Sequence, residues 1–561
     1  MQFNITKHKD ELIFLPLGGA GEIGMNFNLY HYQGKWLIVD CGSGFAEEYM
    51  PGIDIIIPDI SYLVKHRKNI LGIVITHSHE DHIGSVQYLW EVLACPIYAT
   101  PFSTAFLKNR LFELGQEHAN KIIELPIQSK TNIGGIFDIE LVPLSHSIPE
   151  MHAVVIKTEF GSIFHTGDWK FDPNPVIGDV NDEELLKQYG DDGVLALIGD
   201  STNVFNTGFS GSETELKESL IDLISSCKKM VIVTTFASNV GRLEGLMEAA
   251  VKTGRKVALS GRSLKRMLKA AQESGYMLDI PEIVDERDIG KYEREKILII
   301  STGCQGEPLA AMTKVANETH PNIRIKAGDT IIFSSKIIPG NDKKIFRVFN
   351  KLVKLGAEIL TEKDHFVHVS GHPSKDELIK LYELLRPNTL IPVHGEHIHM
   401  HEHAKIGKSL GIPNIIEVEN GVAVKLAPGT PQKVGVVEAG ELGVYGSYFL
   451  KPDSEIMKMR RKLKNDGILF ATIILDNNRH HLAVDPIIVA PGYLDAEEDK
   501  HFIMHIQDMI RLSIEDLIVD RNKKSKLIME DLQKTIKSKI KSILKREVNR
   551  IPIIHVEIRI I

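Results

Sequence analysis

Thr76-His77-Ser78-His79-Glu80-Asp81-His82 is the stretch that decides the fold, because it places four potential metal ligands within six residues. It closes an apolar run, residues 71–76, that predicts a buried strand. In an extended loop alternate side chains point the same way, so His77 and His79 can share one metal while Asp81 and His82 turn towards a second. Imidazole and carboxylate suit Zn²⁺, and two ions about 3.5–4 Å apart serve phosphodiester hydrolysis. The stretch therefore predicts a two-metal site.

A two-metal site needs more ligands than one loop supplies. Three further candidates, each where a predicted apolar strand stops, are His146, Asp168 and His394. Functional groups on a packed scaffold usually occupy such positions. These three residues are therefore predicted to complete the site.

The chain outside these ligands predicts an α/β protein. In its first part, apolar and polar residues alternate as they do in packed β-strands, and near residue 208 this pattern changes. There Ser212 and Glu215 form a capping-box pattern, followed by alternating helices and strands that predict a parallel sheet. A histidine-rich stretch returns after Thr361, so we predict that the first domain resumes there. The predicted segments are a first domain over 1–207, an insertion over 208–360, the resumed domain over 361–446, and a linker with a small C-terminal α/β domain over 447–561.

The C-terminal domain combines an amphipathic helix over 503–519, a stretch dense in Lys and Arg over 521–550, and an alternating strand over 551–561. The basic stretch is most simply a solvated helix face, and contact with an RNA backbone is the alternative.

Composition restricts the class of protein. The 561 residues are 43% hydrophobic and 25% charged, which is typical of a globular protein of several domains. The first 14 residues do not resemble a signal peptide, and no apolar run approaches the roughly 18 residues of a membrane span. The four cysteines are far apart and form no CxxC pair, which favours a reducing cytoplasm. The net charge of −8 argues mildly against nucleic acid as a partner.

The order HxHxDH, His, Asp and a late His resembles the ligand set of the metallo-β-lactamase superfamily. The resemblance implies an αββα sandwich and two Zn²⁺ ions per subunit, with Mn²⁺ or Mg²⁺ left open as a replacement or addition. By that match, one zinc is held by His77, His79 and His146, the other by Asp81, His82 and His394, and Asp168 bridges them.

The predicted insertion lies between Asp168 and His394, where the β-CASP nucleases of this superfamily carry their extra domain. That family's marks match Asp200, at the end of an apolar strand pattern, and His368. The match implies that His368, supported by Asp200, donates a proton to the leaving 3′ oxygen, and that Asp81 also serves catalysis. Without the family, either residue could equally be a hydrogen-bonded group at a strand end.

Further motifs, spread over the whole chain, resemble the ribonuclease J family. They are residues 17–26 (LGGAGEIGMN), 199–203 (GDSTN), 236–239 (FASN), 303–308 (GCQGEP), 336–341 (KIIPGN) and 369–372 (VSGH). The resemblance implies endonuclease and 5′-to-3′ exonuclease action on single-stranded, preferably 5′-monophosphorylated RNA, leaving 5′-phosphate ends, in rRNA processing and mRNA decay. It also implies a homodimer or homotetramer and RNA-decay partner proteins.

A 5′-phosphate pocket is the last feature that this resemblance implies, at Ser238, Ser370, Gly371 and His372. Backbone donors, hydroxyls and an imidazolium suit a phosphate. Ser238 has an alternative, capping the helix that starts near Asn239.

Several other interpretations remain open. A DNA repair nuclease of the Artemis type or an RNA 3′-end processing endonuclease would use the same scaffold. A lactonase or glyoxalase II-like hydrolase shares HxHxDH but lacks so large an insertion, and a non-catalytic RNA-binding scaffold would be favoured by a missing ligand. The GxGxxG pattern at 19–24 suggests a dinucleotide fold, but a strand pattern rather than a helix follows it. The late histidines 397, 399, 401 and 403 are predicted to face solvent on a helix.

Overall fold

The computed structural model describes residues 2–115, 122–476, 482–521 and 529–561. Part of the predicted basic stretch, 522–528, lies outside the described residues. The chain divides into two compact units, Met1–Gly44 with Ile57–Gly440, and Phe45–Ile56 with Glu441–Ile561.

Two mixed sheets form the scaffold of the first unit. In spatial order, the eight strands of the first sheet are Gln432–Val436, Val422–Ala427, Leu12–Gly18, Phe27–Tyr32, Lys35–Val39, Ile70–Val74, Ile97–Ala99 and Ile122–Glu124. The seven strands of the second are Lys130–Ile133, Phe137–Pro143, His152–Thr158, Gly161–His165, Val194–Asp200, Thr389–Val393 and Asn414–Ile415. A short pair, Ala20–Gly21 and Gly395–Glu396, lies beside them.

Apolar side chains on both faces of the second sheet explain the layered arrangement. Because side chains alternate along a strand, Ile139 and Leu141 pack with the first sheet while Val142 packs with the helices behind. The same division holds for Val154 and Val155 on the neighbouring strand. Two sheets packed face to face with helices outside give the predicted αββα sandwich.

The helices of the first unit cover these sheets and the inserted one. They are Ser61–His66, Glu80–Ile83, Val86–Leu93, Pro101–Glu113, Glu183–Asp192, Glu213–Ser226, Val240–Lys252, Arg262–Glu273, Ala311–Ala316, Asp342–Lys354, Lys375–Leu385 and His397–Ser409, with 3₁₀ turns at Arg67–Asn69, Glu286–Lys291 and Arg294–Lys296. Ser212 caps helix Glu213–Ser226 as predicted, because its side chain accepts a hydrogen bond from Thr214 N. In the described part of the chain, none of the helices has the length and apolarity that crossing a bilayer requires.

The insertion has its own sheet of five parallel strands. In spatial order they are Lys256–Ser260, Ile297–Ser301, Val231–Thr234, Thr330–Phe333 and Glu358–Leu360. Strands Ile297–Ser301 and Val231–Thr234 are buried along their whole length, as expected for a parallel sheet with helices on its faces. The chain leaves the sandwich after Val194–Asp200 and returns as the adjacent strand Thr389–Val393, with Asp200 opposite Val393. This is the predicted inserted-domain arrangement.

A buried ion pair within the insertion also reaches the returning chain through a hydrogen bond. Arg242 makes a two-pronged contact with Glu213, at 2.8 and 2.9 Å, and donates to Ser334 Oγ at 2.6 Å and to Val367 O at 3.4 Å. Burial would raise the pKa of Glu213, but Arg242 outweighs it and holds the pKa below its usual value. The charged Glu213 therefore stabilises the fold above a pH of about 4.5, and this contribution is lost as the pH falls below that value.

Replacing Arg242 with methionine should lower the free energy of unfolding by about 3–5 kcal/mol at pH 7, because the Glu213 carboxylate would be left buried without a partner. The difference from the wild type should shrink towards pH 4, because burial without Arg242 raises the pKa of Glu213 in the variant and its carboxyl there takes up a proton. Urea unfolding at both pH values measures this. Lys252→Met is the matched control, because Lys252 pairs with Glu248 on an exposed surface and should leave stability unchanged. An equal effect of the two changes would contradict the prediction.

The second unit contains the C-terminal α/β domain. Its three-stranded sheet has the order Ile487–Val489, Ile468–Leu475 and Ile553–Ile560. Helices Lys500–Arg521 and Met529–Glu547 cover one face, where Ile510 and Ile540 pack against Leu469 and Ile473. The other elements are helix Glu455–Asp466, strands Tyr448–Leu450 and Glu441–Tyr445, and two short strands of the same sheet, Ile55–Pro58 and Gly44–Phe45, which stand at the two ends of segment Phe45–Ile56.

Candidate active site

The predicted ligands converge because of strand direction. In the second sheet, strands Phe137–Pro143, Gly161–His165, Val194–Asp200 and Thr389–Val393 run the same way. The carboxyl ends of parallel strands meet at one edge, where ligands of α/β proteins usually bind. The residues that leave this edge are His146, Asp168, Asp200 and His394, and the loop after Ile70–Val74 brings the 77–82 cluster to them.

The first ligand group is His77, His79, His146 and Asp168, whose candidate ligand atoms all lie within 4.8 Å of one another. His79 Nδ1 is 3.1 Å from His146 Nε2, and His77 Nε2 is 3.7 Å from Asp168 Oδ2. Burial lowers the pKa of His77 and His146, and that of His79 to about 4. These imidazoles are neutral at pH 7, which is the form that binds metal.

The second group is Asp81, His82, Asp168 and His394. Asp168 Oδ1 lies 3.1 Å from His82 Nε2 and 3.4 Å from His394 Nε2. Asp81 Oδ2 is 3.6 Å from both of these nitrogens. Asp168 thus directs one carboxylate oxygen at each group.

Both groups have the dimensions of a metal site. Four ligands arranged tetrahedrally at 2.0–2.2 Å from Zn²⁺ are roughly 3.3–3.6 Å apart, and the separations above are 3.1–3.7 Å. His77 Nε2 and His394 Nε2 are buried and form no hydrogen bond among the described residues. Buried polar atoms normally have partners, and a cation between the ligands would be theirs. The residues therefore fit a pair of metal ions.

Hydrogen bonds to ring nitrogens that face away from the other candidate ligands orient several of these residues. His82 Nδ1 lies 2.6 Å from Asp40 Oδ2, and Asp40 in turn accepts from Thr76 N and Oγ1. Asn26 Nδ2 donates to His394 Nδ1 at 2.9 Å. Such contacts fix the ring and its tautomer. Sequence reasoning missed Asp40 and Asn26, although the end of strand Lys35–Val39 was a signal for Asp40.

Gly371, one of the residues predicted for the phosphate pocket, also supports His146. Its carbonyl oxygen accepts from His146 Nδ1 at 2.5 Å. A Cβ atom at this position would lie 2.6 Å from His146 Cε1. The returning chain therefore helps to orient a ligand of the first group.

Gly371→Ala should push the His146 ring away and weaken metal binding at the first group by about 10–100-fold, the usual effect of losing such support. Titration with a competing chelator measures the affinity. Gly290→Ala is the control, because a Cβ there meets open space. Unchanged metal affinity in Gly371→Ala would disprove the role of the glycine.

Asp200 pairs with His372, and not with His368 as the sequence predicted. His372 Nδ1 lies 2.8 Å from Asp200 Oδ2 and 3.9 Å from Asp168 Oδ2. Burial opposes the charge on His372, but Asp200 and Asp168 outweigh it and raise its pKa to about 9. Asp168, Asp200, His372 and His394 form a third group within 4.8 Å.

His368 has different surroundings. Burial, followed by the positive charge of Arg242, lowers its pKa to about 3. It follows Val367, whose carbonyl oxygen belongs to the Arg242 network. A histidine in this setting is neutral at pH 7, and the predicted pairing of His368 with Asp200 is not formed, because Asp200 contacts His372 instead.

The other predicted pocket residues lie on loops near the site. Ser370 Oγ accepts from Asn203 Nδ2 at 2.6 Å and from His372 N at 3.1 Å. Ser238 does not cap helix Val240–Lys252, because Asn239 is the N-cap and accepts from Arg242 N. The alternative role considered for Ser238 is therefore excluded.

The late histidines do not all face solvent. His397 and His401 are exposed, as predicted, whereas His399 is half-buried. His403 is fully buried, and its Nδ1 lies 2.8 Å from Ser201 Oγ while its Nε2 contacts Tyr382 OH. The prediction was wrong for His403, because the helix turns this position towards the second sheet.

Four models of known protein families together match most of the chain. The chain matches "Metallo-beta-lactamase superfamily" over residues 25–234, "Ribonuclease J, beta-CASP domain" over 228–352, "Zn-dependent metallo-hydrolase RNA specificity domain" over 356–417 and "Ribonuclease J C-terminal domain" over 455–559. Ribonuclease J of Sinorhizobium meliloti is 39% identical, and the match covers 94% of each chain. This chain belongs to the ribonuclease J family.

Other members agree with this family membership. Ribonuclease J of Thermus thermophilus is 34% identical over 97% of this chain and 95% of its own. Ribonuclease J2 of Bacillus subtilis is 32% identical over 98% of both. A crystal structure of a protein of unknown function from Enterococcus faecalis V583 covers 74% of this chain and 99% of its own at a TM-score of 0.52; at 16% identity it supports the fold alone. The chain is a metal-dependent, RNA-binding ribonuclease.

Proposed function

We propose that this ribonuclease J family member uses two Zn²⁺ ions to hydrolyse single-stranded RNA. The observation that carries the proposal is the position of Asp168, whose two oxygens face the two ligand groups at 3.1–3.7 Å. When bound, such ions supply a nucleophile at neutral pH and offset charge on the phosphate. His77, His79 and His146 would hold one ion, Asp81, His82 and His394 the other, with Mn²⁺ or Mg²⁺ as replacements to be tested.

His372, which the sequence resemblance placed in the 5′-phosphate pocket, takes the role of proton donor in this proposal in place of His368. It lies beside the ligands, with ring centroids 5.4 Å from His146 and 5.6 Å from His394. Asp200 holds the ring through Nδ1 and favours its cationic form, so the Nε2–H can be given to the leaving 3′ oxygen. Cleavage in this direction leaves a 5′-phosphate on the product.

A 5′-monophosphate end would be held beside the site by Ser238, Ser370 and the backbone at Gly371. The Ser370 hydroxyl accepts two hydrogen bonds and retains its own proton for a phosphate oxygen. Holding the end near the reacting centre would give 5′-to-3′ exonuclease action, and internal cleavage needs no such hold. Both activities belong to the proposal, as do rRNA processing and mRNA decay.

The assembly and location are proposed on the family alone. We propose a homodimer or homotetramer, RNA-decay partner proteins and a cytoplasmic site of action. The proposed domain segments within the chain are 1–207, 208–360, 361–446 and 447–561. Size-exclusion chromatography with light scattering would test the oligomer.

The decisive experiment compares one single-stranded RNA in 5′-monophosphate and 5′-hydroxyl forms with the matching DNA, following mononucleotide release. We expect processive release from the monophosphate RNA, slow release from the hydroxyl form and little from DNA. Ser370→Ala should reduce the preference between the two RNA ends by about tenfold, the cost of one hydrogen bond to a charged group.

Each alternative function has its own outcome in this experiment. Equal cutting of DNA would favour a repair nuclease, and internal cutting without end preference would favour an endonuclease. No cleavage with metal bound would favour a binding scaffold. Any of these results would overturn the proposal as stated.

A further inference from the structure

Helix Asp342–Lys354 of the insertion carries an unusual concentration of positive charge. It has five basic residues and one acidic residue, Asp342, in a protein whose net charge is −8. All five basic side chains are exposed: Lys343, Lys344, Arg347, Lys351 and Lys354. Positions 343, 347, 351 and 354 follow one another at helical spacing, so they form a stripe along one face. We call these four residues the basic stripe.

The stripe lacks the partners that exposed cations have elsewhere in the insertion. On helix Arg262–Glu273, Lys265 and Lys269 pair with Glu286 and Glu273, and Arg266 with Glu113. Among the described residues, none of the basic stripe lies within 4 Å of a carboxylate, and the one hydrogen bond that its side chains form there joins Lys351 Nζ to the uncharged Asn317 Oδ1. Its positive charges are therefore available to an external anion.

This arrangement opposes the stability of the helix. Like charges four residues apart, as at Lys343 and Arg347 or Arg347 and Lys351, repel each other. Lys343 also lies in the first turn, where the helix dipole disfavours cations, whereas Lys351 and Lys354 lie in the last turn, where it favours them. An anion bound along the stripe would relieve the repulsion between its neighbouring cations.

An aromatic side chain lies on the same helix. Phe346 is 48% exposed, and its ring is held edge-on by Phe349 at 5.7 Å, which packs on the core of the insertion. Cations beside an exposed, immobilised ring are the combination that binds single-stranded nucleic acid through phosphates and stacked bases.

The helix starts at the edge of the insertion that faces the metal site. It follows strand Thr330–Phe333 through a loop fastened by Gln305, which accepts from Ile338 N and donates to Lys336 O. At the same edge, after strand Val231–Thr234, Gly241 N donates to Ser147 O, next to the ligand His146. From there 13 residues extend about 20 Å.

We infer that the basic stripe with Phe346 is a second RNA-binding surface, which holds the backbone of a long single strand away from the reacting phosphate. The inference rests on the proposed function for the identity of the strand. The surface adds affinity for long RNA and leaves the chemistry of a short one unchanged.

The test compares a variant of the stripe with a matched control. The four stripe residues are changed to glutamine, and the control changes Lys265 and Lys269, which are paired, to glutamine. KM and kcat are measured on RNAs of about 30 and 4 nucleotides. The stripe variant should raise KM on the long RNA at least about fivefold. The slope of the logarithm of the binding constant against the logarithm of the salt concentration should become shallower by about 2–3. The stripe variant should cleave the short RNA as the wild type does. The control variant should match the wild type on both RNAs.

Two further measurements separate the possible outcomes. Arg347→Glu should weaken long-RNA binding while raising or preserving Tm, since it converts like-charge pairs into ion pairs. Fluorescence anisotropy with proteins that also carry His77→Ala measures RNA binding without cleavage. Failure of the proposed function can therefore be distinguished from failure of the inference about the stripe. Equal binding of long RNA by stripe variant and wild type would overturn the inference. Loss of polyglutamate binding with unchanged RNA binding would assign the stripe to an acidic protein instead.

Discussion

Asp168→Asn is expected to lower kcat for RNA hydrolysis by about 10³–10⁴-fold, equivalent to the several kcal/mol that metal ions contribute to such a reaction. The amide has one oxygen and no charge, so it cannot face both ligand groups as the carboxylate does. The pKa of Asp168 is held well below its usual range because His394, His82 and His372 outweigh the effect of burial. The asparagine should therefore also lower the metal content of the purified protein.

Single-turnover cleavage and metal analysis by mass spectrometry test this prediction together. Asp172→Asn is the matched control, because Asp172 lies in the same loop, is buried, and pairs with Lys170 at 3.0 Å outside the ligand groups. The control should reduce stability while retaining metal. An Asp168→Asn protein with full metal content and kcat within tenfold of the wild type would remove Asp168 from the bridging position.

The convergence of the candidate ligands could be predicted, because sequence order and strand direction bring them to one edge of the sheet. His77, His79, Asp81 and His82 come from one loop, and the other ligands each follow an apolar strand. The inserted parallel sheet likewise follows from a change of periodicity near residue 208, whereas the αββα sandwich was implied by the resemblance to the superfamily. Strand patterns carry this information because they record which faces are buried.

The contacts between distant loops could not be predicted. Asp40 reaches His82 across 42 positions, and Gly371 reaches His146 across 225. Nothing in the local pattern around a glycine indicates that its carbonyl oxygen supports a ligand. Such contacts depend on how the returning chain packs, which periodicity does not encode.

The sequence paired Asp200 with His368 and placed His372 in the phosphate pocket, and the pairing was incorrect for the same reason. Both stand in one irregular segment after residue 360, where no strand or helix period indicates the direction of a side chain. The structure turns His372 to Asp200 and leaves His368 beside the Arg242 network. The sequence motif therefore identified the segment that contacts Asp200, but it did not identify which histidine of that segment makes the contact.

Mutating each histidine should separate the two roles. His372→Ala is expected to lower the rate of RNA cleavage by about 10²–10⁴-fold, the usual contribution of a general acid. His368→Ala should leave the chemical step within a few-fold of the wild type, because His368 makes no contact with the ligand groups among the described residues. Single-turnover rates at saturating metal give both values.

A substrate with a nitrophenolate leaving group distinguishes a proton donor from a residue that merely supports the site. This leaving group departs without a proton, so His372→Ala should cleave it nearly as fast as the wild type does, while Asp168→Asn should not. Asp200→Asn should lose activity on RNA to a smaller extent than His372→Ala, since the imidazole remains but its orientation and charge are no longer held. If His372→Ala were equally slow on both substrates, its role would be to position the phosphate, and the proton would have to come from elsewhere.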